Sequence, residues 1–340
     1  MPGLLLDTLR GLKGERAPMW LMRQAGRYLP EYRALRSEKG GFLELVYDSE
    51  AAAEITIQPL RRFGFDGAIL FSDILIVPHA MGQGLEFLAG EGPKLSPPLL
   101  EARLEDFTAQ PQRFEAIYET VRLCRAQLDE SVTMLGFAGS PWTVATYMVA
   151  GEGSRDQHAT RELAYGDPVR FQAIIDAIVE VSITYLRGQI DAGAEAVQLF
   201  DSWAGSLAPD QFDRWVIAPN AAITAALKQS HPDTPVIGFP KGAGAKLAAY
   251  ANETGVDAVG LDETVDPEWA DRELPKGMPV QGNLDPLLLM AGGAPLVDRA
   301  CFILKTFADR PHVFNLGHGI GQFTPIEHVE QLVAVLRGQR

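Results

Sequence analysis

Two arginines four residues apart have types and spacing that could support chemistry. Arg23 and Arg27 lie among aromatic and apolar residues in the segment 17–33, APMWLMRQAGRYLPEYR. Gly26 and Pro30 argue against a regular helix across this segment. A guanidinium group stays charged at any working pH and offers a planar fork that matches a carboxylate. The two arginines are therefore candidates either for binding the carboxylates of a ligand or for internal ion pairs.

A second group of candidates consists of polar residues that directly follow short apolar runs. In parallel α/β folds the C-terminal ends of the strands carry the active site, so these residues are expected on one face. Aspartate and serine at such positions are also ordinary helix N-caps, which is the structural alternative. Asp73 has a stronger case because the Ile-Leu-Ile-Val-Pro that follows it is a poor helix start. The group comprises Asp73, Ser140, Asp201, Ser202, Lys241, Asp262, Asn283 and His318.

Two further side chains, His318 and Tyr147, have both a functional and a structural interpretation. His318 lies between two glycines, where backbone can approach a ligand closely, but it could equally be a turn histidine bonded to backbone. Tyr147 falls two turns into a helix that Ser140 is expected to cap, ahead of a first-turn proline. That spacing predicts a core position for Tyr147, and Phe137 and Phe200 are interpreted as apolar strand residues.

The sequence offers no motif for a cofactor or a metal ion. It has no GxxxxGK[ST], and Gly242-Ala243-Gly244 is only half of a dinucleotide fingerprint, so a turn is the better interpretation. The six histidines are scattered without an HExxH pattern. Cys124 and Cys301 are isolated in amphipathic stretches, which indicates core packing in a reducing compartment. We therefore expect neither a cofactor nor a metal.

Seven short apolar runs predict buried parallel strands, with amphipathic helix-length stretches between them. With 18–22 as a weak eighth element, this alternation favours an α/β fold of the (β/α)8 TIM-barrel type over an open sheet. Gly- and Pro-rich stretches at 82–84, 90–98 and 151–154 predict loop insertions on one rim, and no linker interrupts a single domain over 1–340. The predicted strands are 67–73, 133–140, 196–202, 236–240, 258–262, 280–283 and 313–318.

The charge distribution limits the classes of partner. A formal net charge of −14 argues against a general binder of nucleic acid or anionic membranes, because the mean field repels polyanions. Residues 1–40 carry eight bases and four acids, or +4, so the other 300 residues carry −18. This basic segment predicts a positive entrance in an acidic body. No stretch reaches the roughly 18 apolar residues of a membrane span, so we expect a cytoplasmic protein.

Six blocks of the sequence resemble, in order, those of the uroporphyrinogen decarboxylase family. The N-terminal block, PMWLMRQAGRYLPEY at 18–32, and the second, GFAGSPWT at 136–143, are close to the family's two signatures. Because all six blocks occur in order from near the start of the chain to its end, chance is a poor explanation. The other blocks are FSDIL at 71–75, LFDS at 199–202, QGNLDP at 281–286 and NLGHG at 315–319.

The resemblance implies a cofactor-free, homodimeric barrel enzyme of tetrapyrrole synthesis. Such an enzyme removes carbon dioxide from the four acetate arms of uroporphyrinogen III to give coproporphyrinogen III. Two departures, Glu263 where the family often has Trp and Gln322-Phe323 replacing a Pro-containing turn, concern the rim. The catalytic residues carried over by position are Asp73, Arg23, Arg27, Tyr147 and His318. The substrate-binding residues carried over are Arg23, Gln24, Ala25, Gly26, Arg27, Asp73, Phe137, Tyr147, Phe200, Ser202 and His318.

The eight carboxylates of that substrate suggest roles for the candidate residues. Arg23 and Arg27 would hold carboxylates at the positive entrance. A pyrrole protonated at a ring carbon becomes an iminium electron sink, so decarboxylation needs no external cofactor. Asp73 would stabilise the cation, and we expect nearby arginines to keep its pKa low. Water, Tyr147 and His318 remain alternative proton donors.

Two rival functions stay open at this point. A related barrel class transfers methyl groups from cobamides or folates to thiols through a zinc ion held by His and Cys. The isolated cysteines argue against it, and stoichiometric zinc would favour it. The other rival is a non-catalytic tetrapyrrole-binding protein, which would release no carbon dioxide.

Overall fold

The computed structural model describes residues 3–88 and 92–338. Its strands are β1 (Gly67–Ile69), β2 (Gly84–Leu88), β3 (Gly92–Ser96), β4 (Thr133–Gly139), β5 (Ala196–Asp201), β6 (Val236–Pro240), β7 (Ala258–Gly260), β8 (Val280–Gln281) and β9 (His312–Val313). Seven of them form one parallel sheet in the order β1-β4-β5-β6-β7-β8-β9. Each overlaps a predicted apolar run, although β9 shares only Val313 with the run predicted at 313–318. The predicted α/β TIM-barrel class is confirmed.

The segment 18–20 joins the two edge strands of this sheet. On one side the Phe314 backbone N–H donates to the Pro18 carbonyl (2.8 Å) and the Trp20 N–H donates to the Phe314 carbonyl (3.4 Å). On the other side the Asp66 N–H, just before β1, donates to the Met19 carbonyl (2.9 Å). The weak eighth element predicted at 18–22 therefore lies where a barrel needs it.

A chain of three buried polar side chains crosses the barrel interior. The Trp20 indole N–H donates to Gln281 Oε1 (2.9 Å), and Gln281 Nε2 donates to Gln198 Oε1 (2.9 Å). All three side chains are fully buried. Because an unpaired buried polar group is costly, these bonds help to hold β5, β8 and the 18–20 segment in one relative position.

Helices alternate with the strands and cover the outside of the sheet. The first eight α-helices are α1 (Leu4–Leu9), α2 (Pro30–Lys39), α3 (Phe42–Tyr47), α4 (Ser49–Phe63), α5 (Ile76–Ala80), α6 (Glu115–Gln127), α7 (Pro141–Ala150) and α8 (His158–Gly166). They are followed by α9 (Pro168–Asp191), α10 (Pro209–Phe212), α11 (Ala218–Ser230), α12 (Leu247–Glu253), α13 (Pro267–Glu273), α14 (Pro286–Ala291), α15 (Gly293–Thr306) and α16 (Ile326–Leu336). Within the described ranges no helix combines the length and hydropathy needed to cross a bilayer.

Short helical turns of other kinds complete the connections. The 3-10 turns are Leu104–Asp106, Pro111–Phe114, Ala204–Ser206 and Gly244–Lys246, and Asp213–Ile217 is a π-helical turn between α10 and α11. The turn predicted at 242–244 is confirmed, because Gly242 and Gly244 both adopt a positive φ (73° and 56°).

Three sequence-based expectations are corrected. The loop predicted at 90–98 is wrong for residues 92–96, which form β3, pair antiparallel with β2 and bury Leu95 opposite Leu85; residues 90 and 91 lie outside the described part of the chain. The glycines and prolines of this segment predicted a turn, although Leu85 and Leu95 point to the same buried face of the two strands. The apolar run after Asp73 does form a helix, α5, because all five of its residues are buried and packing overrides the poor start. Cys124 is buried as expected, but Cys301 is exposed.

Candidate active site

The candidate residues gather where the parallel strands end. Asp73 follows β1, Ser202 follows β5 and His318 lies in the loop after β9. Arg23 follows the 18–20 segment, and Tyr147 lies on α7, directly after β4. The C-terminal ends of parallel strands face one side of a barrel, so these side chains come from five separate parts of the chain to one mouth.

Asp73 lies half-buried at this mouth with one oxygen engaged. Its Oδ1 accepts a hydrogen bond from the Leu75 backbone N–H (2.8 Å). Burial raises the pKa of the Asp73 carboxyl to about 6, because the loss of water outweighs the opposing effects of the Leu75 N–H and the Arg23 charge. The expectation of a low pKa is therefore wrong. With a pKa of about 6 the carboxyl is still mostly ionised at pH 7.

Arg23 is held in an unusual backbone conformation beside Asp73. The Gln24 N–H donates to the Leu21 carbonyl (2.9 Å), and this turn gives Arg23 a φ of 60°, a position that normally takes Gly or Asn. A Cβ at Gly319 would overlap the Arg23 side chain, so that glycine makes room for the arginine. A residue other than glycine in the left-handed region stores strain, which is common where function requires a particular side-chain direction.

Neither candidate arginine has an internal ion pair. Among the described residues, no carboxylate forms a salt bridge with Arg23 or Arg27, and both side chains are exposed. The charge of Arg23 nevertheless lowers the pKa of Asp73, Tyr147 and His318 relative to burial alone. The ligand-binding interpretation of Arg23 is thus the one that fits its surroundings.

The charge of Arg23 acts on both His318 and Tyr147. Burial, Arg23 and Lys241 together lower the pKa of His318 to about 4, and Asp262 opposes them, so the ring is neutral at physiological pH. Within the described part of the chain the His318 ring makes no hydrogen bond, which argues against a turn histidine bonded to backbone. Burial raises the pKa of the Tyr147 hydroxyl, and contact with the Trp203 side chain partly offsets this.

An aromatic wall runs along one side of the mouth. The ring centroids of Phe137 and Phe200 are 5.5 Å apart at 89°, and those of Phe200 and Phe239 are 6.0 Å apart at 79°. Phe239 then stacks on His318 at 6.5 Å and 24°. Sequence reasoning missed Phe239, although its place just before the polar residue that follows β6 was a usable signal.

Arg27 belongs to a neighbouring groove rather than to the group around Asp73. This groove of about 750 Å³ is lined by Arg27, Arg33, Arg36, Ser37, Gly40, Gly41, Gln322 and Phe323. Arg33 Nη1 donates to the Arg27 carbonyl (2.7 Å), which holds the two residues together. Arg27 is not among the charges that shift the pKa of Asp73, Tyr147 or His318. The two predicted carboxylate clamps therefore lie in adjoining regions.

The remaining predicted substrate-binding residues differ in burial and in whether their polar groups are free to bind a ligand. Gln24 is fully buried, its Oε1 accepts from the Leu21 N–H (3.0 Å), and its Nε2 donates to the Gly67 carbonyl (2.9 Å). Both polar atoms of the Gln24 side chain are thus hydrogen-bonded to backbone groups. Ala25, Gly26 and Ser202 are half-buried. Their roles stay predictions.

Other strand-end candidates have structural partners. Ser140 Oγ donates to Asn220 Oδ1 (2.9 Å), and Asp262 accepts from the Gly242 N–H (2.7 Å). Asn283 Nδ2 donates to the carbonyls of Asp262 (2.8 Å) and Val265 (2.7 Å). These bonds give all three side chains a structural role, but none of the three caps a helix as the structural alternative predicted. Ser140 precedes α7 without a side-chain cap bond, and its hydroxyl joins α7 to α11.

Asp201 positions two of the elements that carry site residues. It is fully buried at the end of β5, where burial raises its pKa to about 7 and hydrogen bonds from Thr143 and Asn220 oppose that rise. Thr143 Oγ1 donates to Asp201 and accepts from the Trp203 N–H (3.1 Å). Since Thr143 lies one turn before Tyr147 on α7, this link ties α7 to the loop that contains Ser202.

The basic N-terminal segment is divided between the two ends of the barrel. Lys13 pairs with Asp309 (3.7 Å) and Arg16 with Asp66 (Nη1 to Oδ2, 2.8 Å), and both acids precede strands of the sheet. These bases therefore lie at the end opposite Asp73. Only part of the +4 segment contributes to the mouth.

No group of three or more His, Cys, Asp or Glu side chains in residues 3–88 and 92–338 has an arrangement that could hold a metal ion.

Comparison with known proteins places this geometry in a family. The family model described as Uroporphyrinogen decarboxylase matches residues 3–339 of the chain. The chain belongs to the uroporphyrinogen decarboxylase family. This family match spans the six motif blocks and all of the candidate site residues. The resemblance predicted from the motifs is confirmed.

Relatives within the uroporphyrinogen decarboxylase family are close. A protein named uroporphyrinogen decarboxylase from Erythrobacter litoralis (strain HTCC2594) is 72% identical over 337 residues, covering 99% of each chain. One of the same name from Novosphingobium aromaticivorans is 71% identical over 338 residues, again covering 99% of each. Identity of this extent makes the chain an enzyme of decarboxylation in porphyrin biosynthesis.

Solved structures extend the likeness of fold beyond this family. A methyltransferase from Methanosarcina mazei superposes with a TM-score of 0.81 at 18% identity, covering 99% of both chains. A B12-independent methionine synthase from Shewanella sp. W3-18-1 superposes with a TM-score of 0.57 at 11% identity, covering 88% of both. At these identities the likeness shows the fold alone.

Proposed function

We propose that this enzyme removes the four acetate carboxyl groups of uroporphyrinogen III and leaves methyl groups, giving coproporphyrinogen III. The observation that carries the proposal is that the half-buried Asp73 carboxylate lies within the electrostatic influence of Arg23, a guanidinium without an ion pair, at the barrel mouth of a member of this family. Asp73 offers one fixed negative charge, and Arg23 offers a positive charge with no protein carboxylate attached. The proposed substrate needs both charges, because its carboxylates bind a cation and its pyrrole N–H groups bind an anion.

Each decarboxylation exchanges one carbon dioxide for one proton. A proton adds to the pyrrole carbon next to the one that carries the acetate arm, and the ring becomes a conjugated iminium ion. The bond between the methylene and the carboxylate then breaks, its electron pair forms an exocyclic C=C bond, and the iminium nitrogen is neutralised. A second proton adds to the exocyclic carbon while the ring carbon loses the first. The substrate supplies its own electron sink, so the proposed reaction uses no cofactor.

Asp73 stabilises the cation that forms in the first step. Its free oxygen, Oδ2, is available for the pyrrole N–H groups while Oδ1 is held by the Leu75 N–H. A carboxylate that is already desolvated interacts more strongly with a developing positive charge than one in bulk water. The pKa of about 6 leaves this carboxylate charged at neutral pH.

The arginines act on the periphery of the substrate. Arg23 binds a carboxylate close to the reacting ring, and Arg27, in the adjoining groove, binds a carboxylate farther out. Phe200, which is half-buried, and the slightly exposed Phe137 provide apolar surface for the macrocycle, and the fully buried Phe239 packs against Phe200 and supports it. Because His318 is neutral at physiological pH, it serves as a hydrogen-bonding partner rather than as a cation.

Incubation with reduced uroporphyrinogen III tests this proposal directly. The protein is first treated with a chelator, and the products are oxidised and separated by the number of carboxyl groups. Conversion from eight to four carboxyl groups is the expected result. Unchanged substrate, bound but not converted, would support the rival tetrapyrrole-binding role, and stoichiometric zinc in the untreated protein would support the methyltransferase role.

The working assembly and compartment are also part of the proposal. We propose a homodimer in the cytoplasm, as the family resemblance implies. Among the described residues both cysteines, Cys124 and Cys301, are free, which fits a reducing compartment. Sedimentation equilibrium of the purified protein should give twice the chain mass of 37.0 kDa.

A further inference from the structure

A second pair of opposite charges lies at the same mouth as Asp73. Lys241 directly follows β6 and Glu263 follows β7, so both side chains start from neighbouring strand ends. The Lys241 Nζ and Glu263 Oε1 atoms are 3.9 Å apart, and the two side chains are 29% and 26% exposed. The pair is thus reachable from the solvent but is not a surface feature.

The pair is incompletely satisfied. A separation of 3.9 Å is too long for a hydrogen bond, and within the described ranges the Lys241 ammonium donates to no acceptor. The other carboxylate oxygen, Glu263 Oε2, is buried without a hydrogen-bond partner. The partly exposed Lys241 ammonium therefore has three donors that no acceptor in the described part of the chain uses and that a ligand anion can take, and Glu263 holds it only through charge.

A second lysine–carboxylate pair, at the opposite end of β6, shows a pair whose members are within hydrogen-bond distance. Lys228 Nζ lies 2.7 Å from Asp257 Oδ2 and also donates to the Thr234 carbonyl (2.9 Å). The same Asp257 oxygen accepts from the Val236 N–H at the start of β6 (2.7 Å). The chain can therefore build a tight lysine pair beside β6, and it does so only at the end away from the mouth.

Lys241 and Glu263 both adjoin groups that the proposed reaction uses. The positive charge of Lys241 acts on the His318 ring together with that of Arg23. A Cβ at Gly317 would overlap the backbone nitrogen and Cα of Glu263, so the Glu263 backbone is packed against the loop that carries His318.

We propose that Lys241 is a further substrate-binding residue, which takes a carboxylate of the tetrapyrrole, and that Glu263 is its resting partner. This inference rests on the proposed function, because it assigns a third cation to the same cleft. A compact ammonium on a flexible four-carbon stem can leave a loose partner 3.9 Å away for a substrate carboxylate. Glu263 then acts as a competitor, since its charge repels the carboxylate that replaces it.

Opposite effects of two substitutions test the inference. Lys241→Met should weaken binding of oxidised uroporphyrin, a non-reacting octacarboxylate probe, by about tenfold, which corresponds to about 1.4 kcal/mol. Glu263→Gln should tighten binding severalfold, because it removes the competing charge and frees the ammonium group. Lys241→Arg keeps the charge and should retain most of the affinity. Kd is measured by fluorescence quenching, and KM for uroporphyrinogen should change in the same directions.

Lys228→Met and Asp257→Asn are the matched controls, because they disrupt the pair at the other end of β6 and should leave Kd within twofold. An unchanged Kd in Lys241→Met, or weaker binding in both Lys241→Met and Glu263→Gln, overturns the inference and identifies a structural pair. Wild-type protein that binds the porphyrin but converts no porphyrinogen overturns the proposed function alone, and Kd still decides the role of Lys241. Wild-type protein that does not bind the porphyrin overturns both.

Discussion

Asp73 and Arg23 carry opposite charges on neighbouring loops, yet the pKa of Asp73 lies above its usual range. Burial removes water that would stabilise the carboxylate, and this cost exceeds the gain from the Leu75 N–H and the Arg23 charge. A carboxyl group with a pKa of about 6 is ionised at neutral pH but is easily neutralised by a small change around it. Its protonation state is therefore a sensitive measure of the surrounding charges.

Asp73→Asn removes the negative charge and keeps an oxygen that can accept from the Leu75 N–H. We expect kcat to fall by about 10²-fold or more with an equal or higher melting temperature, because the charge acts chiefly on the cationic intermediate and its burial costs the folded state stability. The control is Asp176→Asn, which removes an equal charge from an exposed position on α9. Product analysis gives kcat for both variants, and near-normal turnover by Asp73→Asn would remove Asp73 from the mechanism.

Arg23→Gln should move the acid limb of the pH profile. Since the proposed mechanism uses the ionised form of Asp73, kcat/KM should fall as the pH drops through about 6. Arg23 opposes the rise in the pKa of Asp73, so its removal should raise that pKa further and shift the limb to higher pH. Arg272→Gln, at an exposed position on α13, should leave the limb in place. If the acid limb of the pH profile stays in place in Arg23→Gln, the charge of Arg23 does not act on the pKa of Asp73.

The elements of the mouth approach one another through glycines. A side chain at Gly317 would overlap the Glu263 backbone, and one at Gly139, the last residue of β4, would come within 2.9 Å of Ile74 Cβ. Because interiors are close-packed, even a methyl group at such a contact forces the loops apart. The positions of His318 and Asp73 thus depend on the absence of neighbouring side chains.

Gly317→Ala should reduce the free energy of unfolding by roughly 1–3 kcal/mol and raise KM, because the loop that carries His318 must move. The matched control is Gly166→Ala at the end of α8, where an added Cβ meets nothing within 4 Å. That change should be neutral or stabilising by about 0.5–1 kcal/mol. Urea denaturation measures both, and equal stability of the two variants would show that the loops are not in contact.

The chain combines a net charge of −14 with a substrate proposed to carry eight carboxylates. Two bases of the +4 N-terminal segment, Lys13 and Arg16, lie at the opposite end of the barrel from the mouth. The basic residues around the mouth and its adjoining groove are Arg23, Arg27, Arg33, Arg36 and Lys241. Attraction of the substrate therefore depends on where the charges lie and not on the total, since salt screens the field beyond roughly 10 Å.

Arg27→Ala and Lys13→Ala provide a test of this local field. Both change the net charge from −14 to −15, but only Arg27 lines the groove beside the mouth. Arg27→Ala should raise KM about tenfold and reduce its dependence on salt, with little change in kcat. Lys13→Ala should alter none of these. Equal effects of the two substitutions would assign the attraction to total charge.

Local sequence patterns were sufficient to predict the fold class. The seven strands could be recognised because a strand covered on both faces reads as a short apolar run, whatever its neighbours are. The β2–β3 hairpin and α5 could not, because Gly92, Pro93 and the Ile-Leu-Ile-Val-Pro run have the wrong propensities and are held by tertiary burial. The strand-end rule, which uses the sequence alone, also selects Asp73, Ser202, Lys241 and His318 as candidate site residues.

The sequence by itself determined which residue types stand at the strand ends and that Arg23 and Arg27 lie four residues apart in an aromatic, apolar segment. Only the tertiary structure decided that Asp73 has a raised pKa, that Gln24 is committed to the backbone, and that Lys241 faces Glu263 across 3.9 Å. The physical reason is that propensity and apolar patterning act between near neighbours in sequence. Desolvation and charge pairing depend instead on atoms that folding brings together from distant parts of the chain.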